Sequence, residues 1–402
     1  MPFREGLFTP GSPPIPPALP ARRDASDPTG IPWDEVEGES FAMRRVGGVL
    51  AALVLLGGVL FAVLHRAPAD DGGITVVKGV IGSEKREFFA DPEVVAELKA
   101  QHLRVDAITT GSWQMADADL SGNDFAFPAS LSPAEEIRAA HKVSGEPVRP
   151  FYSPLVVIAH APVAEVLRSN GLAARAESGV WTFKMDQYLD VVRRDRNWSD
   201  LKDVAGHAEL AGAVYVTTTD PATSSSGALH LAEVSYLANE RRVVSDDAGV
   251  GRVRDLVRKV TAMQGDQKTS SDGPFKDFLS NVGSPLVLVY ESQVAALTAQ
   301  GKPTGDLVVL YPDTTVSSDH TMVGLTDNGK KLADLLRDDA KLRALAVRYG
   351  FRPQGDPGAF GAALNAKAGP VFASDLSAAG IQQAPVPAVK VLNQLVAAAK
   401  GK

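Results

Sequence analysis

The stretch TTTDPATSSSGALHLAEVSYL, residues 217–237, contains the pattern that decides the fold. A β-branched run at 213–218 precedes Asp220-Pro221 and three serines, and the segment that follows has the periodicity of a helix. This order predicts a strand, a turn and a helix, the repeating unit of an α/β protein. Further strands are predicted at 74–80, 103–109, 124–127, 153–159, 180–183, 285–290 and 306–312. We therefore expect an α/β fold with parallel sheets covered by helices on both faces.

The turn inside this stretch has the composition of a polar binding site. Ligands of open α/β sheets bind beyond the carboxyl ends of the strands, where the first amides of the next helix are unpaired. Those positions are occupied by Thr223, Ser224, Ser225, Ser226 and Gly227. The hydroxyls can donate to a polar or anionic solute, and the glycine lets the backbone come close to it. The alternative is an ordinary helix cap, because serine is a preferred cap residue.

Polar turns also follow several of the other predicted strands. Because strand ends converge at one edge of an α/β sheet, we expect these side chains to line one pocket with the serine turn. For each residue alone, capping or solvation is the alternative interpretation. The residues are Ser83 after the first strand, Thr110 and Ser112 after the second, Ser130 after the third, and Tyr290 at the end of a later one.

Several catalytic and binding functions lack their sequence signatures. The Gly-x-Ser-x-Gly pentad, the phosphate loop and His-Glu-x-x-His are all missing, and the chain has no cysteine. Residues 117–123 begin like a calcium loop, but Pro128 stands where a bidentate glutamate is required. No cofactor and no metal site is therefore expected. Nucleic acid is not an expected partner, because the net charge is −7 and no basic cluster occurs.

The N-terminal part of the chain differs in composition from the rest. Residues 1–45 are rich in proline, with an acidic end, and predict a disordered cytoplasmic tail. Residues 46–64 are uncharged and apolar over a length that predicts one transmembrane helix, with 65–73 as a linker. The arginines before this run favour a cytoplasmic N-terminus and an extracytoplasmic body. A cleaved signal peptide is the alternative, because residues 67–69 resemble a cleavage site.

Other segments predict further helices. Asp91-Pro92 has the composition of a helix start, and Ser132 begins a segment with capping-box spacing. The polar stretch 246–273 predicts a surface excursion that includes a short helical piece. An amphipathic pattern at 386–399 predicts a last helix.

The order of these segments resembles that of bacterial extracellular solute-binding proteins. The likeness extends over about residues 74–355. Within this group the sequence most resembles proteins with the type 2 periplasmic-binding fold, which includes molybdate- and sulfate-type binders. The segments that carry it are GSEKREFFADPEVV (82–95), ITTGSWQMA (108–116), DFAFPAS (124–130), TSSSG (223–227), PLVLVYESQV (285–294), LVVLYPDTTVSSDHTMV (307–323) and LAVRYGFRP (345–353).

The resemblance implies two α/β lobes that close around a solute. Two crossing segments would join the lobes, near 149–153 and near 311–315. Lobe I would comprise 74–150 and 312–402, and lobe II would comprise 151–311. The binding serines of the family would correspond to Ser83 and Ser112, together with the 224–226 run and Tyr290.

Two features depart from the usual member of such a family. The chain would keep a helical anchor in place of a cleaved signal or a lipid-bearing cysteine. Three carboxylates, Glu84, Asp220 and Glu291, also lie near the expected site and would repel a bare dianion unless they point away.

The sequence thus predicts a single-pass, membrane-anchored extracytoplasmic protein that binds a small polar or anionic solute between two lobes. The role would be transport or sensing and not catalysis, with a transporter permease or an envelope protein as the candidate partner. An interaction or sensor module with the same fold and no small ligand is the first alternative. A serine hydrolase that uses the 224–226 turn is the second and weaker alternative.

Overall fold

The computed structural model describes residues 73–364 and 367–402. The predicted tail (1–45), the predicted transmembrane helix (46–64) and the linker up to residue 72 lie outside these described residues. Within the two described ranges, no helix combines the length and the apolar character that crossing a membrane requires.

The described residues form twelve strands and fourteen α-helices, besides two short 3-10 helices at Ser83–Lys85 and Trp198–Asp200. The strands are β1 Thr75–Ile81, β2 Leu103–Thr109, β3 Phe125–Phe127, β4 Val148–His160, β5 Ala173–Arg175, β6 Trp181–Phe183, β7 Val287–Tyr290, β8 Leu307–Pro312, β9 Thr314–Thr315, β10 Ser317–Gly324, β11 Arg352–Pro353 and β12 Gln382–Gln383. The helices are α1 Arg86–Ala90, α2 Pro92–Ala100, α3 Ser112–Asp117, α4 Leu131–Ala140, α5 Ala161–Ser169, α6 Met185–Arg193, α7 Ser225–Ala238, α8 Asp247–Ala262, α9 Asp272–Leu279, α10 Glu291–Ala299, α11 Asp327–Asp338, α12 Ala340–Arg348, α13 Pro357–Leu364 and α14 Val389–Ala399.

Ten of the described strands form one mixed sheet. Its order is β2-β1-β3-β10-β4-β8-β6-β5, and β7 and β11 also pair with β4. The pairs of β1 with β2 and β3 are parallel, as is the pair of β6 with β8. Strand β4 is antiparallel to all four of its neighbours. The expectation of parallel sheets is therefore wrong at the centre, because the chain leaves along β4 and returns beside it along β8 and β10.

Strand β4 changes partners partway along its 13 residues. Residues 148–154 pair with β10, and the residues from Leu155 onward pair with β7 and β8. The change falls at Pro154, whose nitrogen carries no hydrogen and cannot donate to a neighbouring strand. One strand thus belongs to both halves of the sheet.

Apolar side chains are buried on both sides of this change of partners. One cluster packs β1, β3 and the start of β4 against α1, α11 and α12, and Phe88, Phe127 and Phe151 belong to it. Two further clusters surround the second half of β4. Leu395 of α14 belongs to one of these, together with side chains of α7 and α8. The lobe boundaries near 150 and 312 stay a prediction.

The expectation of a regular strand at 213–218 is wrong. The segment is extended, and within it only two isolated bridges are seen, Asn197 to Ala213 and Thr217 to Val287. Two of its amides donate to side chains, since Val216 N donates to Tyr188 Oη at 3.1 Å and Thr218 N donates to Gln264 Oε1 at 2.7 Å. These bonds replace a continuous ladder.

The expectation of a surface excursion at 246–273 is also wrong. Most of this stretch is α8, whose Asp246 cap accepts a hydrogen bond from Gly249 N at 2.7 Å. The apolar face of α8, which includes Val253 and Val257, is buried in a cluster with residues of α7 and α14. The charged residues that made the stretch look loop-like lie on the opposite face of an amphipathic helix.

A buried ion pair lies beside the change of partners in β4. Arg352 of β11 is 1% exposed and Glu291 at the start of α10 is 0% exposed. Their contacts are bidentate, with Nε to Oε2 at 2.6 Å and Nη2 to Oε1 at 2.8 Å. Because Arg352 pairs with Tyr152 and the residue before Glu291 pairs with Leu155, the ion pair joins elements attached to the two halves of β4.

The other polar atoms of this ion pair also have partners. Tyr311 Oη donates to the Glu291 carboxylate, and Arg352 donates to the carbonyls of Ala373 and Ser374. The guanidinium also lies over the Phe360 ring, 3.8 Å from its centroid. Removal of one partner would leave an unpaired charge in an apolar interior, which is far more costly than removal of both.

We predict that Arg352→Met lowers the free energy of unfolding by about 3–5 kcal/mol, because the Glu291 carboxylate stays buried without its cation. Urea unfolding followed by tryptophan fluorescence measures the change. The matched control is Arg168→Met, which breaks an exposed pair with Glu165 and should cost less than about 1 kcal/mol. The double variant Arg352→Met/Glu291→Met should recover part of the loss. Equal losses in Arg352→Met and Arg168→Met would contradict this prediction.

Candidate functional site

The turns after β1, β2 and β3 meet at one edge of the sheet. Ile81 at the end of β1 lies opposite Thr109 of β2 and Phe127 of β3 in parallel register. The residues that follow these three positions are therefore neighbours in space. This confirms the expected convergence of the strand ends that precede Ser83, Ser112 and Ser130.

A contact between two serine hydroxyls joins this edge to the start of α7. Ser130 Oγ and Ser225 Oγ are 2.8 Å apart, although 95 residues separate them in the chain. Beside this contact, Trp113 N donates to the carbonyl of Thr223 at 3.2 Å. Ser112 Oγ accepts from Ala129 N at 3.0 Å and holds the backbone next to Ser130 in place.

The serines at the start of α7 bond to other hydroxyls. Ser224 is the N-cap by its extended backbone, but its side chain makes no capping bond. Ser224 Oγ lies 3.1 Å from Ser226 Oγ, and Ser226 Oγ lies 2.7 Å from Thr219 Oγ1. We call Ser130, Thr219 and Ser224–Ser226 the hydroxyl network. The interpretation of this turn as an ordinary side-chain cap is therefore wrong, because the Ser224 side chain makes no capping bond.

Ser130 also explains a wrong prediction about the start of α4. The helix begins at Leu131 with Ser130 as N-cap, and Ser132, the predicted cap, is buried in the first turn. Ser130 makes no side-chain capping bond because its hydroxyl contacts Ser225 instead.

Tyr290 is buried behind the network. Its side chain is 2% exposed, and its hydroxyl bonds with Ser226 and Ser318. Burial raises the pKa of Tyr290, and the nearby Glu84 carboxylate raises it further. Tyr290 is therefore a neutral hydrogen-bonding group at neutral pH, and its role as an aromatic wall of the solute pocket stays a prediction.

Three of the predicted site residues make other contacts. Thr110 donates to Gln114 Oε1 at 3.2 Å within its own turn, and Thr223 donates to the Asp220 carbonyl at 3.3 Å. Gly227 approaches the backbone of Thr219, so closely that a side chain would not fit. The glycine thus lets α7 pack on its own preceding turn.

The structure adds a charged cluster that the site prediction did not include. Lys85 and His320 are both 0% exposed, and Lys85 Nζ contacts the Glu84 carboxylate. Lys85 Nζ lies 3.2 Å from His320 Nδ1, which lies 3.4 Å from Glu84 Oε1. Lys85 and His320 are 235 residues apart, so no local periodicity in the sequence could have related them. The one signal for this cluster is that its residues lie in two segments that carry the family resemblance, 82–95 and 307–323.

The charge states in this cluster follow from burial and from its ion pair. Burial lowers the pKa of His320 to about 4, and the Lys85 charge acts in the same direction. Burial by itself raises the pKa of Glu84, but Lys85 and His320 outweigh it and hold that pKa well below its usual range. Burial lowers the pKa of Lys85 and the Glu84 carboxylate opposes that shift, while the His320 imidazole is neutral at neutral pH.

The two other acidic residues near the site are paired as well. Asp220 Oδ2 lies 3.0 Å from Lys400 Nζ, and Glu291 is held by Arg352. All three carboxylates that were expected to oppose an anion thus have a cationic partner. Their repulsion of an anionic solute is correspondingly weakened.

A cavity of about 150 Å³ lies next to Glu84. Its lining combines the turn after β1 with α9 and α10, including Ser83, Asp272, Ser292 and Gln293. Ser83 Oγ and Ser292 Oγ are buried and have no hydrogen-bond partner in the described part of the chain. Buried hydroxyls without partners are uncommon in native proteins, so this cavity has free hydrogen-bonding capacity. Its lining includes Ser83 but none of the residues of the hydroxyl network.

No group of three or more histidine, aspartate or glutamate side chains in residues 73–364 and 367–402 is arranged to hold a metal ion.

Comparison with known proteins agrees with this architecture. A periplasmic thiamin binding protein has the same fold, with a TM-score of 0.50 and 12% identity over 81% of this chain and 96% of that one. The sulfate-binding protein of Mycobacterium tuberculosis H37Rv matches with a TM-score of 0.49 and 14% identity, covering 74% of this chain and 92% of its own. A search of curated proteins finds no match.

The family is identified by a match between a family model and more than half of the sequence. The model of the family described as bacterial extracellular solute-binding protein matches residues 93–352. The chain belongs to this family, and the expected resemblance is confirmed.

We predict that His320 makes stability depend on pH in mildly acidic solution. The unfolded chain binds this proton near the ordinary value of 6.5, and the folded chain binds it only near 4. Between these values the unfolded state holds more protons, so the free energy of unfolding falls as the pH falls. From about pH 7 to about pH 5 we expect a loss of roughly 2 kcal/mol from this group.

Urea unfolding of the wild type and of His320→Gln at both pH values measures the effect. The variant should lose less stability than the wild type on acidification, whatever its stability at neutral pH. His141→Gln, at an exposed position, is the control and should keep the wild-type dependence. An unchanged pH dependence in His320→Gln would overturn this assignment.

Proposed function

We propose that the chain is a membrane-anchored extracytoplasmic protein that binds a small polar or anionic solute between two lobes. The observation that carries this proposal is the 2.8 Å contact between Ser130 and Ser225, where hydroxyls from two distant parts of the chain face each other. Family membership supports the same role. Lobe I would be built on 74–150 and on the segment after 312, and lobe II on 151–311.

The contacts of α14 refine the proposed lobes. Its buried residues pack with α7 and α8, so we assign this helix to lobe II although it ends the chain. Asn393 of α14 also donates to Glu136 of α4 at 3.1 Å, which places it beside both proposed lobes.

The proposed site has the chemistry to hold a polar solute. Serine hydroxyls both donate and accept, and the start of α7 adds the positive end of the helix dipole. Lys85 adds a buried positive charge, balanced by Glu84. A cavity of about 150 Å³ beside Ser83 favours a compact solute or one compact part of a larger solute.

Binding in this site requires the lobes to move. Ser112, Ser130, Ser224, Ser225 and Ser226 are each at most 6% exposed, so the described conformation is closed over them. A solute that contacts both sides would stabilise closure only if it binds the closed form better than the open form. The two crossing segments, near 149–153 in β4 and near 311–315, are the expected hinges.

The proposed surroundings follow from the sequence and from the family. The extracellular character of the family supports an extracytoplasmic body, and the apolar run 46–64 supports a single-pass anchor in the cell membrane. A transporter permease is the partner that we propose, with another envelope protein as the alternative.

A sensor or interaction module remains the second candidate, and one observation favours it. The hydroxyl network is filled by its own side chains, which satisfy each other without a solute. The serine hydrolase receives no such support. Its nucleophile needs a base within hydrogen-bonding reach, and the network serines contact hydroxyls, while His230 Nε2 has no partner in the described residues.

We predict that Ser225→Ala weakens solute binding about tenfold, because the site loses one hydrogen bond to the solute and one across the lobes. Calorimetry of the full-length chain against a panel of oxyanions, sugars and amino acids identifies the solute and measures the loss. Ser144→Ala, which removes an exposed hydroxyl, should bind like the wild type. Small-angle scattering should show a smaller radius of gyration with solute present.

Two results would count against the proposal. One is the absence of both heat and thermal stabilisation across the whole panel, which would favour the sensor module. The other is binding that Ser225→Ala and Ser144→Ala leave equally unchanged, which would place the solute away from the hydroxyl network.

A further inference from the structure

A second polar surface continues from the hydroxyl network along α7. Ser226, His230 and Glu233 are spaced by four and three residues and therefore lie on one face of the helix. Their side chains are 0%, 3% and 0% exposed. Since Ser226 belongs to the hydroxyl network, this face leads from the network into the interior.

The polar atoms on this face are not all satisfied. His230 Nδ1 lies 3.0 Å from Glu233 Oε2. The remaining atoms, His230 Nε2 and Glu233 Oε1, have no hydrogen-bond partner within the described ranges of the chain. Two such atoms on one face of one helix indicate groups that bind something, because native interiors satisfy nearly all their polar atoms.

Among the described residues, His230 is the one basic side chain that pairs with Glu233. Burial raises the pKa of Glu233, and the His230 side chain opposes this only in part. The carboxylate of Asp313, the residue before Thr314, raises that pKa further. Asp313 has Lys184 at 3.6 Å, and that lysine is 34% exposed. A cation brought to this face would therefore gain a charge-assisted hydrogen bond to a carboxylate that is otherwise poorly compensated.

We propose that His230 and Glu233 form an amine subsite, which binds the amino group of an elongated solute whose polar or anionic end lies at Ser225 and Ser226. The helical rise places Glu233 about 10 Å from Ser226 along α7, which sets the separation of the two ends. Glu233 Oε1 accepts from the ammonium group, and His230 holds the carboxylate in place through Nδ1. This proposal rests on the proposed function, since it assigns the solute class of the same cleft.

The test uses ω-amino acids of increasing length, namely γ-aminobutyrate, ε-aminocaproate and ω-aminocaprylate, with caprylate as the probe that lacks the amine. Calorimetry of the full-length chain should show affinity that rises with length, and ω-aminocaprylate should bind at least about tenfold tighter than caprylate. Glu233→Gln should remove that advantage. Glu240→Gln, at an exposed carboxylate just beyond α7, should keep it.

Thermal melting of each variant first establishes that it folds, and His230→Asn serves as the second variant if Glu233→Gln does not. The amine subsite is overturned if no ω-amino acid binds, if the amine confers no advantage, or if the advantage survives in the folded variant. A compact solute whose binding is lost in Ser225→Ala and unchanged in Glu233→Gln would overturn the amine subsite alone and leave the proposed function standing.

Discussion

The structure depends on one strand that belongs to two halves of a sheet. β4 pairs with β10 before Pro154 and with β7 and β8 after it, so its backbone passes through both proposed lobes without interruption. The ion pair between Arg352 and Glu291 reinforces this passage, since the two residues are attached to elements on either side of the change of partners. A buried pair of this kind is better explained by the geometry that it holds than by net stability, because desolvation offsets most of the attraction between the charges. It fixes the position of α10, which lines the cavity, relative to the edge that carries Ser83.

In the proposed function, the hydroxyl network would close the binding cleft with polar groups. Ser130 and Ser225 contact each other directly, and Ser226 contacts Thr219, so the hydroxyls satisfy one another when the halves meet. Such exchangeable bonds can be replaced by bonds to a solute at little cost, whereas an apolar interface would have to be exposed on opening. A network of hydroxyls is therefore suited to a surface that must separate repeatedly. The same bonds also support the sensor alternative. In that case the hydroxyls of the network bond to one another without a solute, and a partner protein would respond to the separation of the two lobes.

Charge in the site is balanced locally. Glu84 is paired with Lys85, Asp220 with Lys400 and Glu291 with Arg352, so no carboxylate of these three is left to repel an anion. Glu233 differs from them, because its neighbours are a histidine and a second carboxylate. The contrast between the paired acids at the network and the poorly compensated acid deeper along α7 would give the proposed cleft two chemically distinct ends. Because the two ends differ in charge, the proposed cleft suits an elongated solute whose own two ends differ in the same way.

The sequence by itself determined the local elements and the family. Alternation and capping predicted β2 at 103–109, the helix after Asp91 and α10 at 291–299, since these signals lie within a few residues of each other. It also placed hydroxyls at the strand ends, because a turn after a strand is a local feature.

Only the tertiary structure decided that Ser130 meets Ser225, that Lys85 meets His320, and that the stretch from 246 is a packed helix. Those outcomes depend on contacts between residues far apart in the chain. The antiparallel pairing of β8 and β10 with β4 also joins distant segments. Local periodicity carries no information about such partners, so they became visible only when the whole chain was folded.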